Sequence, residues 1–322
     1  MSEPGSRPER LPPALVVCGP TAAGKTEIAL QVARRMPARL ISADSVQVYR
    51  GMDIGTAKPD GKTLRRFPHA LIDIRHPEQR YSAAEFVRDA AEEIRRAAAR
   101  GRLPVVVGGT AMYLRALRYG LDAMPTADRA LRLRIEREAE ARGWPALHRW
   151  LAGLDPESGR RIRPNDSQRI QRALEICLAS GRSASSFHRG RGPDRMSDSL
   201  MLVVAPADRR ELHRRINTRA RAMLEAGLVE EVQALLQRPG LHRSAPALRA
   251  VGYRQTIECL EGGIARDVLA ERIAAATRQL AKRQLTAFRQ WAGSFWYDPL
   301  NPDTIGRILR HVNDLRRVDD LA

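Results

Sequence analysis

The sequence has little cysteine and no long apolar run. Its three cysteines, Cys18, Cys177 and Cys259, stand far apart and without metal-ligand spacing, so neither a disulfide framework nor a zinc site is indicated. No apolar run approaches membrane-spanning length, and the first ten residues, MSEPGSRPER, lack the pattern of an export signal. These absences argue against a transmembrane or secreted protein, and we expect a folded cytoplasmic protein without a membrane partner.

Lysine and acidic residues are also scarce. The chain of 322 residues has 55 Lys+Arg against 37 Asp+Glu, a formal net charge of +18, and only four of the basic residues are lysine. Because arginine forms bidentate contacts with phosphate, a nucleic acid is a better partner for this charge than an acidic protein. The length allows one large domain or two ordinary ones.

A phosphate-binding loop follows an apolar run near the start of the chain. Residues 19–26 read GPTAAGKT, with the spacing Gly-x-x-x-x-Gly-Lys-Thr, in which backbone amides surround phosphate oxygens, the lysine supplies a cation and the threonine hydroxyl can bind Mg²⁺. The helix that begins near Lys25 directs its positive N-terminal end at the same place. The residues predicted to bind a diphosphate or a nucleotide are Gly19, Pro20, Thr21, Ala22, Ala23, Gly24, Lys25 and Thr26, with Thr26 as the metal ligand. The motif alone does not identify the phosphorylated ligand, since many chemistries use this loop.

Strand-like runs alternate with helical patterns over much of the chain. The runs are ALVVC (14–18), RLIS (39–42), ALIDI (70–74), LPVVVGG (103–109) and SLMLVVAP (199–206). This alternation predicts an α/β fold with a P-loop NTPase-like parallel sheet, covered by helices on both faces. Ligands of such sheets bind at the carboxyl ends of the strands, where the phosphate-binding loop would lie.

The pattern changes between the fourth and fifth strands. Residues 119–195 have helical patterns and no convincing strand, so we expect a helical insertion domain between two parts of the core, 1–118 and 196–322. The exit of the insertion, SFHRGRGPDRMSDS (186–199), has the composition of a mobile linker. After the last strand, long helices are predicted at about 208–237 and 265–290.

The acidic residues at strand ends narrow the chemistry. A motor or signalling NTPase usually has an acidic residue after an apolar strand to help hold magnesium, but the run LPVVVGGT ends in Gly-Gly-Thr. This disfavours an ATPase. Asp44 in LISADSVQVY and Asp73 in LIDI are the acidic candidates, and Asp44 is the stronger because polar residues surround it. From its position alone, a catalytic role for Asp44 and a role in capping a turn are about equally supported.

A series of motifs resembles one enzyme family. GPTAAGKT, ISADSVQVYRGMDIGTAKP, YSAAEF, VVVGGTAMYLRAL, RPNDSQRIQRALE, VGYRQ and TRQLAKRQLTAFR, which follow one another from about residue 14 to residue 298, are similar to those of the tRNA dimethylallyltransferases, also called tRNA isopentenyltransferases. The resemblance implies transfer of a dimethylallyl group from dimethylallyl diphosphate to the exocyclic amine of the adenine just 3′ of the anticodon, in tRNAs reading codons that begin with uridine. The phosphate-binding loop would then hold an isoprenoid diphosphate, with Mg²⁺ as cofactor.

The resemblance also implies roles for particular residues. Asp44 would accept a hydrogen bond, and then a proton, from the adenine amine. Thr110 corresponds to a threonine of the reaction centre, and Arg219 to an arginine that binds the diphosphate. Arg215 lies four residues from Arg219 and so on the same helix face. Without the resemblance, this segment would be read as a solvated basic face.

The expected tRNA contacts fall in three stretches. They are Asp44, Ser45, Val46 and Gln47 at the target base; Gln168, Arg169, Ile170, Gln171 and Arg172 in the insertion; and Arg249, Ala250, Val251, Gly252, Tyr253 and Arg254 near the C-terminal part. The insertion also carries Arg160, Arg161 and Arg163, a pattern typical of phosphate contacts. The target adenine is expected to leave its stack and enter a pocket near Asp44. The partners are thus the anticodon stem-loop of tRNA and dimethylallyl diphosphate, bound by a chain that we expect to be a monomer.

Two other functions fit part of the pattern. A small-molecule kinase would use the phosphate-binding loop but would leave the net charge and the arginine-rich insertion unexplained. A non-catalytic RNA-binding protein would use the charge and leave the loop without a task. Departures from the family pattern at Ala23, Val46, Ala111 and Arg163 remove no proposed catalytic group, although Ala111 could narrow the pocket for the allyl group.

Overall fold

The structure is a computed structural model that describes residues 10–122, 124–125, 128–187, 190, 192–243 and 245–319. The chain divides into two compact units. Unit 1 comprises Met1–Tyr119 and Asp194–Ala322, and unit 2 comprises Gly120–Pro193. The predicted α/β class is confirmed, because helices surround a parallel sheet in unit 1.

The described part of unit 1 forms a six-stranded sheet in which every neighbouring pair is parallel. The strands are β1 Leu15–Cys18, β2 Ala38–Ser42, β3 His69–Ala70, β4 Leu103–Gly108, β5 Leu200–Val204 and β6 Phe295–Tyr297. Their order across the sheet is β3-β2-β4-β1-β5-β6. Every residue of β1, β4 and β5 is buried, which explains why these strands are continuous apolar runs.

Helices cover the sheet and build the rest of both units. The described α-helices are α1 Lys25–Ala33, α2 Gly61–Arg66, α3 Ala83–Ala98, α4 Ala111–Tyr119, α5 Arg129–Arg142, α6 Trp144–Leu154, α7 Pro156–Arg161, α8 Ser167–Ser180, α9 Arg209–Glu225, α10 Leu228–Leu236, α11 Tyr253–Leu260, α12 Leu269–Phe288 and α13 Thr304–Asp319. Short 3-10 turns occur at Ala184–Phe187, Pro246–Arg249 and Arg266–Val268. Helices α5 to α8 form unit 2, and the others belong to unit 1.

Alternate residues of the central strands pack on opposite faces of the sheet. Val16 and Val106 join the core that contains Phe86 of α3, whereas Leu15 and Val105 join the core that contains Leu30 of α1. Helix α3 begins at a capping box, in which the Ser82 hydroxyl accepts a hydrogen bond from the Glu85 amide and the Glu85 side chain reaches back.

Several predicted bounds were wrong. The third strand ends at Ala70, not at residue 74. Leu71 and Asp73 adopt left-handed backbone conformations, with φ of 65° and 56°, and these conformations are incompatible with a continuing strand. The helix predicted at 208–237 is two helices, since Gly227 has φ of 97° between α9 and α10. Strand β6 and helices α11 and α13 were not predicted. The expected linker includes residues 188, 189 and 191, which lie outside the described residues, as do residues 1–9.

Strand register brings the ends of three strands together at the site. Cys18 pairs with Gly108, and Ser42 pairs with Val107, so the carboxyl ends of β1, β4 and β2 are neighbours at one edge. The segments that leave this edge are the phosphate-binding loop, Thr110 and the Asp44 turn. Within the described ranges, no helix combines the length and apolar character needed to cross a bilayer.

Candidate active site

The phosphate-binding loop adopts backbone conformations that require its glycines. Gly19 has φ of 143°, and a Cβ there would lie 2.1 Å from the Val204 carbonyl oxygen of β5. Gly24 has φ of 89° and precedes the first residue of α1 without a side-chain cap, so the amides of the first turn remain available to an anion. Ala22, with φ of 63°, completes the tight loop.

Two cations meet at this site, Lys25 within the phosphate-binding loop and Arg219 of α9. The Lys25 ammonium donates a hydrogen bond to the Pro20 carbonyl oxygen at 2.7 Å. Burial, with a further contribution from the positive charge of Arg219, lowers the pKa of Lys25 to about 8, and the opposing effect of Asp44 is smaller than that of burial. Burial also lowers the pKa of Arg219, and Arg215 adds to the effect. Arg215 itself pairs with Glu211 at 2.9 Å and lies near Gly24.

One cavity of about 120 Å³ joins Lys25, Asp44 and Arg219. Its other polar lining includes Thr21 and Gln284. The apolar part of the lining consists of Val46, Ala57, Ile216, Ala220, Met223, Ala250, Val251, Ile273 and Leu280. The cavity therefore offers both a cationic region for an anionic head group and an apolar wall.

Asp44 begins the turn that follows β2. Its Oδ1 accepts hydrogen bonds from the amides of Val46 at 2.8 Å and Gln47 at 3.2 Å. Its Oδ2 has no hydrogen-bond partner among the described residues, and the side chain lines the cavity. Asp44 can therefore cap the turn through Oδ1 and still offer Oδ2 for chemistry in the cavity.

Thr110 supports this turn. Its Oγ1 accepts a hydrogen bond from the Ser45 amide at 3.1 Å and donates one to the Ser45 hydroxyl at 3.3 Å. The neighbouring Gly109 lines the cavity, and its lack of a side chain leaves room for Gln284. Thr110 therefore holds the turn that carries Asp44. This positioning contact is the part of its predicted role in the reaction centre that the structure shows.

Gln284 is a site residue that the sequence analysis did not single out. Its Oε1 accepts a hydrogen bond from the Thr21 amide at 2.9 Å, and its Nε2 donates one to the Gly109 carbonyl oxygen at 2.8 Å. It thereby ties the phosphate-binding loop to the end of β4. The only sequence signal was its place inside the quoted TRQLAKRQLTAFR motif, since its partners are distant in the chain.

Thr26 lies in the first turn of α1 with an exposed side chain. Its hydroxyl has no hydrogen-bond partner among the described residues, whereas the carboxylate of the adjacent Glu27 is paired with Arg34. The described residues contain no group of three or more His, Cys, Asp or Glu side chains arranged to hold a metal. This donor set fits Mg²⁺ held by one protein hydroxyl together with phosphate oxygens and water, as is usual for that ion, and does not fit a protein cage.

The stretch 249–254 has two kinds of residue. Ala250 and Val251 line the cavity, and Arg249 and Arg254 are exposed. The Tyr253 side chain is fully buried and donates a hydrogen bond to Glu231 at 2.6 Å. The Tyr253 ring is therefore not accessible to tRNA in this structure, and the exposed residues of the stretch are Arg249 and Arg254.

The stretch 168–172 lies at the start of α8 in unit 2. Gln168 and Arg169 are exposed, but Ile170 is fully buried. Gln171 donates to Glu136 at 2.8 Å, and Arg172 binds Glu175 at 3.2 Å. Unit 2 also exposes the arginines at 160, 161 and 163. Of the predicted stretch, only Gln168 and Arg169 are exposed, and Arg169 pairs with Asp166 at 3.2 Å.

Comparison with known proteins identifies the family. The sequence model of the family described as IPP transferase matches residues 47–291. A curated relative from Thiobacillus denitrificans, named tRNA dimethylallyltransferase, is 53% identical over 92% of this chain and 95% of its own length. The crystal structure of a tRNA isopentenylpyrophosphate transferase from Bacillus halodurans is 34% identical, with a TM-score of 0.70 over 96% of this chain and 98% of that chain.

A more distant structure has the same fold. It is that of a eukaryotic dimethylallyltransferase acting on tRNA, which is 24% identical with a TM-score of 0.76 and aligns with 94% of this chain and 79% of its own. The resemblance seen in the motifs is therefore confirmed across nearly the whole sequence. This chain belongs to the IPP transferase family, the prenyltransferases that include the tRNA dimethylallyltransferases.

Proposed function

We propose that the protein transfers a dimethylallyl group from dimethylallyl diphosphate to the N6 amine of the adenosine 3′-adjacent to the anticodon, in tRNAs that read codons beginning with U, and releases diphosphate. The observation that carries this proposal is the cavity in which Lys25, Arg219 and Asp44 meet an apolar wall. An allylic diphosphate has the matching parts, an anionic head and an apolar tail. Dimethylallyl transfer to tRNA is also the activity named for close relatives.

The cationic region suits the leaving group. Breaking the allylic C–O bond leaves positive charge on the dimethylallyl group and negative charge on diphosphate, so cations and aligned amides at the diphosphate stabilise the transition state. Lys25, Arg219 and the uncapped amides at the start of α1 supply both. Mg²⁺, held by Thr26 and phosphate oxygens, would add further neutralisation of the diphosphate when bound.

Asp44 suits the acceptor amine. Its Oδ1 is fixed by two backbone amides, which leaves Oδ2 to accept a hydrogen bond from N6 and then its proton as the new C–N bond forms. The reacting adenine must leave its stack to reach a cavity of this kind. A carboxylate there also favours the developing allylic cation.

tRNA is expected to approach through exposed basic residues. Arg249 and Arg254 lie beside the cavity-lining residues Ala250 and Val251. In unit 2, exposed arginines and Gln168 precede or begin α8. Contacts with phosphate would position the RNA, and the unpaired bases of the anticodon loop would provide recognition.

The test is mass analysis of nucleosides from unmodified tRNA incubated with the protein and Mg²⁺. One reaction contains dimethylallyl diphosphate, a second contains ATP, and a third contains the diphosphate with a tRNA in which guanosine replaces the target adenosine. A dimethylallyl mass on adenosine in the first reaction alone is the expected result. Phosphate transfer from ATP without prenyl transfer would replace the proposal with a kinase, and tRNA binding without any transfer would replace it with a non-catalytic RNA-binding role.

A further inference from the structure

The Glu231 carboxylate, which is not part of the cavity lining, accepts three hydrogen bonds from a loop that lines the cavity and a fourth from Tyr253 of α11. Glu231, in the first turn of α10, accepts the amide of Asp53 at 2.9 Å and that of Ile54 at 2.8 Å through Oε2. Through Oε1 it accepts the amide of Gly55 at 3.2 Å and the Tyr253 hydroxyl at 2.6 Å. Each oxygen therefore serves two donors, and a carboxylate has acceptor capacity for all four.

The same residues pack tightly around the loop. The Tyr253 ring is fully buried, and burial, together with the charge of Glu231, raises the pKa of its hydroxyl, so that it remains a donor. A Cβ on Gly55 would lie 2.5 Å from this ring, which shows how closely the loop backbone approaches it. The loop is thus held by hydrogen bonds to the carboxylate and by close packing against the ring.

The loop connects this carboxylate to Asp44. Gly55, Thr56 and Ala57 line the cavity. The Gln47 side-chain amide donates hydrogen bonds to the carbonyl oxygens of Thr56 at 3.2 Å and Ala57 at 3.4 Å, while the Gln47 backbone amide donates to Asp44 Oδ1 at 3.2 Å. Hydrogen bonds at both ends of the loop, joined by its backbone, therefore connect Glu231 to the turn that carries Asp44.

We propose that Glu231 is a positioning residue for prenyl transfer: by fixing residues 53–57 it sets both the wall of the cavity and, through Gln47, the orientation of Asp44. This role rests on the proposed function of the cavity. It does not extend to the diphosphate, because no described hydrogen bond links Glu231 to the phosphate-binding loop.

A second set of contacts, made by Lys58, also holds the loop. The nearly buried Lys58 ammonium binds the Asp73 carboxylate at 2.6 Å and the Tyr49 carbonyl oxygen at 2.9 Å, and it also pairs with Asp53. Changes at Glu231 should therefore alter the position of residues 53–57 without releasing the whole loop.

The variants that test the role are Glu231→Gln and Tyr253→Phe, with Glu230→Gln as the matched control, since Glu230 is an exposed carboxylate in the same turn of α10. In Glu231→Gln an NH₂ group replaces one oxygen and faces two donors, whereas Tyr253→Phe removes a single hydrogen bond. We expect Glu231→Gln to lower kcat at saturating substrates about tenfold or more, Tyr253→Phe to lower it less, and the control to be unchanged. The dissociation constant for inorganic pyrophosphate should stay within about twofold in all three, because Lys25 and Arg219 are untouched.

Amide hydrogen exchange provides a readout that does not depend on the reaction. Faster exchange at residues 44–47 and 53–57 in Glu231→Gln, and not in the control, supports the role. An unchanged kcat, unchanged exchange at residues 44–47, or a loss of pyrophosphate affinity equal to the loss of kcat would each overturn it. If the wild-type protein transfers no prenyl group, the proposed function fails, and the exchange result still decides whether Glu231 orients the Asp44 turn.

Discussion

Affinity for a diphosphate should fall as the pH rises through the pKa of Lys25. Burial lowers that pKa to about 8 in the free protein, so near neutral pH the ammonium is mostly protonated. A bound diphosphate stabilises the charged ammonium and must raise its pKa, so above pH 8 binding is linked to uptake of one proton. The sign follows directly: alkaline pH weakens binding.

The size of the effect follows from the same linkage. With a pKa of about 8, roughly one tenth of Lys25 is protonated at pH 9, so the dissociation constant at pH 9 should be about tenfold that at pH 7, with a slope of up to tenfold per pH unit above 8. Isothermal titration of inorganic pyrophosphate between pH 6.5 and about 9.5 measures this directly.

The matched control is Lys25→Met, which has no titratable group at this position and therefore reports the titration of the ligand itself. The ratio of the two dissociation constants isolates Lys25. A ratio that stays flat between pH 7 and about 9.5 would refute the reasoning, because the ammonium would then not titrate in the free protein or would not meet the phosphate.

Three substitutions test other parts of the structure. Gly19→Ala should abolish pyrophosphate binding in a folded protein, because the new Cβ would lie 2.1 Å from the Val204 carbonyl oxygen. Gln284→Ala leaves the Thr21 amide and the Gly109 carbonyl unpaired, so kcat/KM should fall roughly tenfold to a hundredfold. In unit 2, Asp155→Ala should lower the free energy of unfolding by roughly 3 kcal/mol in urea titrations, because its buried carboxylate accepts hydrogen bonds from Ser158 and Ser185.

The Asp155 prediction includes a pH dependence. Hydrogen bonds from Ser158 and Ser185 lower its pKa from 3.8 to about 2, against the opposing effect of burial. A carboxyl with a depressed folded-state pKa stabilises the protein above its unfolded pKa and loses that contribution as the pH falls toward 2. The stability gap between wild type and variant should therefore shrink between pH 4 and about 2. A gap that is constant over this range would contradict the role given to Asp155. Wild-type pyrophosphate binding by Gly19→Ala would contradict the steric argument at Val204, and wild-type kinetics of Gln284→Ala would contradict the role of its two hydrogen bonds.

The central strands were predictable because burial on both faces demands continuous β-branched and aliphatic residues. The shorter third strand was not, since Leu71 and Asp73 adopt left-handed conformations that no local pattern announces. Gly227 was visible as a helix breaker, but the apolar pattern continued across it. Strand β6 consists of three aromatic residues that favour strands, but it is too short to show an alternating or continuous apolar pattern.

Some residues of the site were predictable from local sequence and others were not. The phosphate-binding loop depends on local spacing, and its place after β1 follows from the strand that precedes it. Gln284 and Glu231 act on residues more than 170 positions away, and such pairs are set by tertiary packing alone. The resemblance to a family supplied Arg219, which local pattern would have assigned to a solvated face, although the structure places it in the cavity.

The most direct test of the account is the single-turnover rate of Asp44→Asn with both substrates saturating. Asparagine keeps an oxygen for the amides of Val46 and Gln47, so the turn should persist while the proton acceptor is lost. We predict that prenyl transfer slows by about a hundredfold or more, with tRNA and pyrophosphate binding near wild type. A rate close to that of the wild type would show that the proton of the adenine amine leaves by another route and that the cavity's carboxylate is not the base.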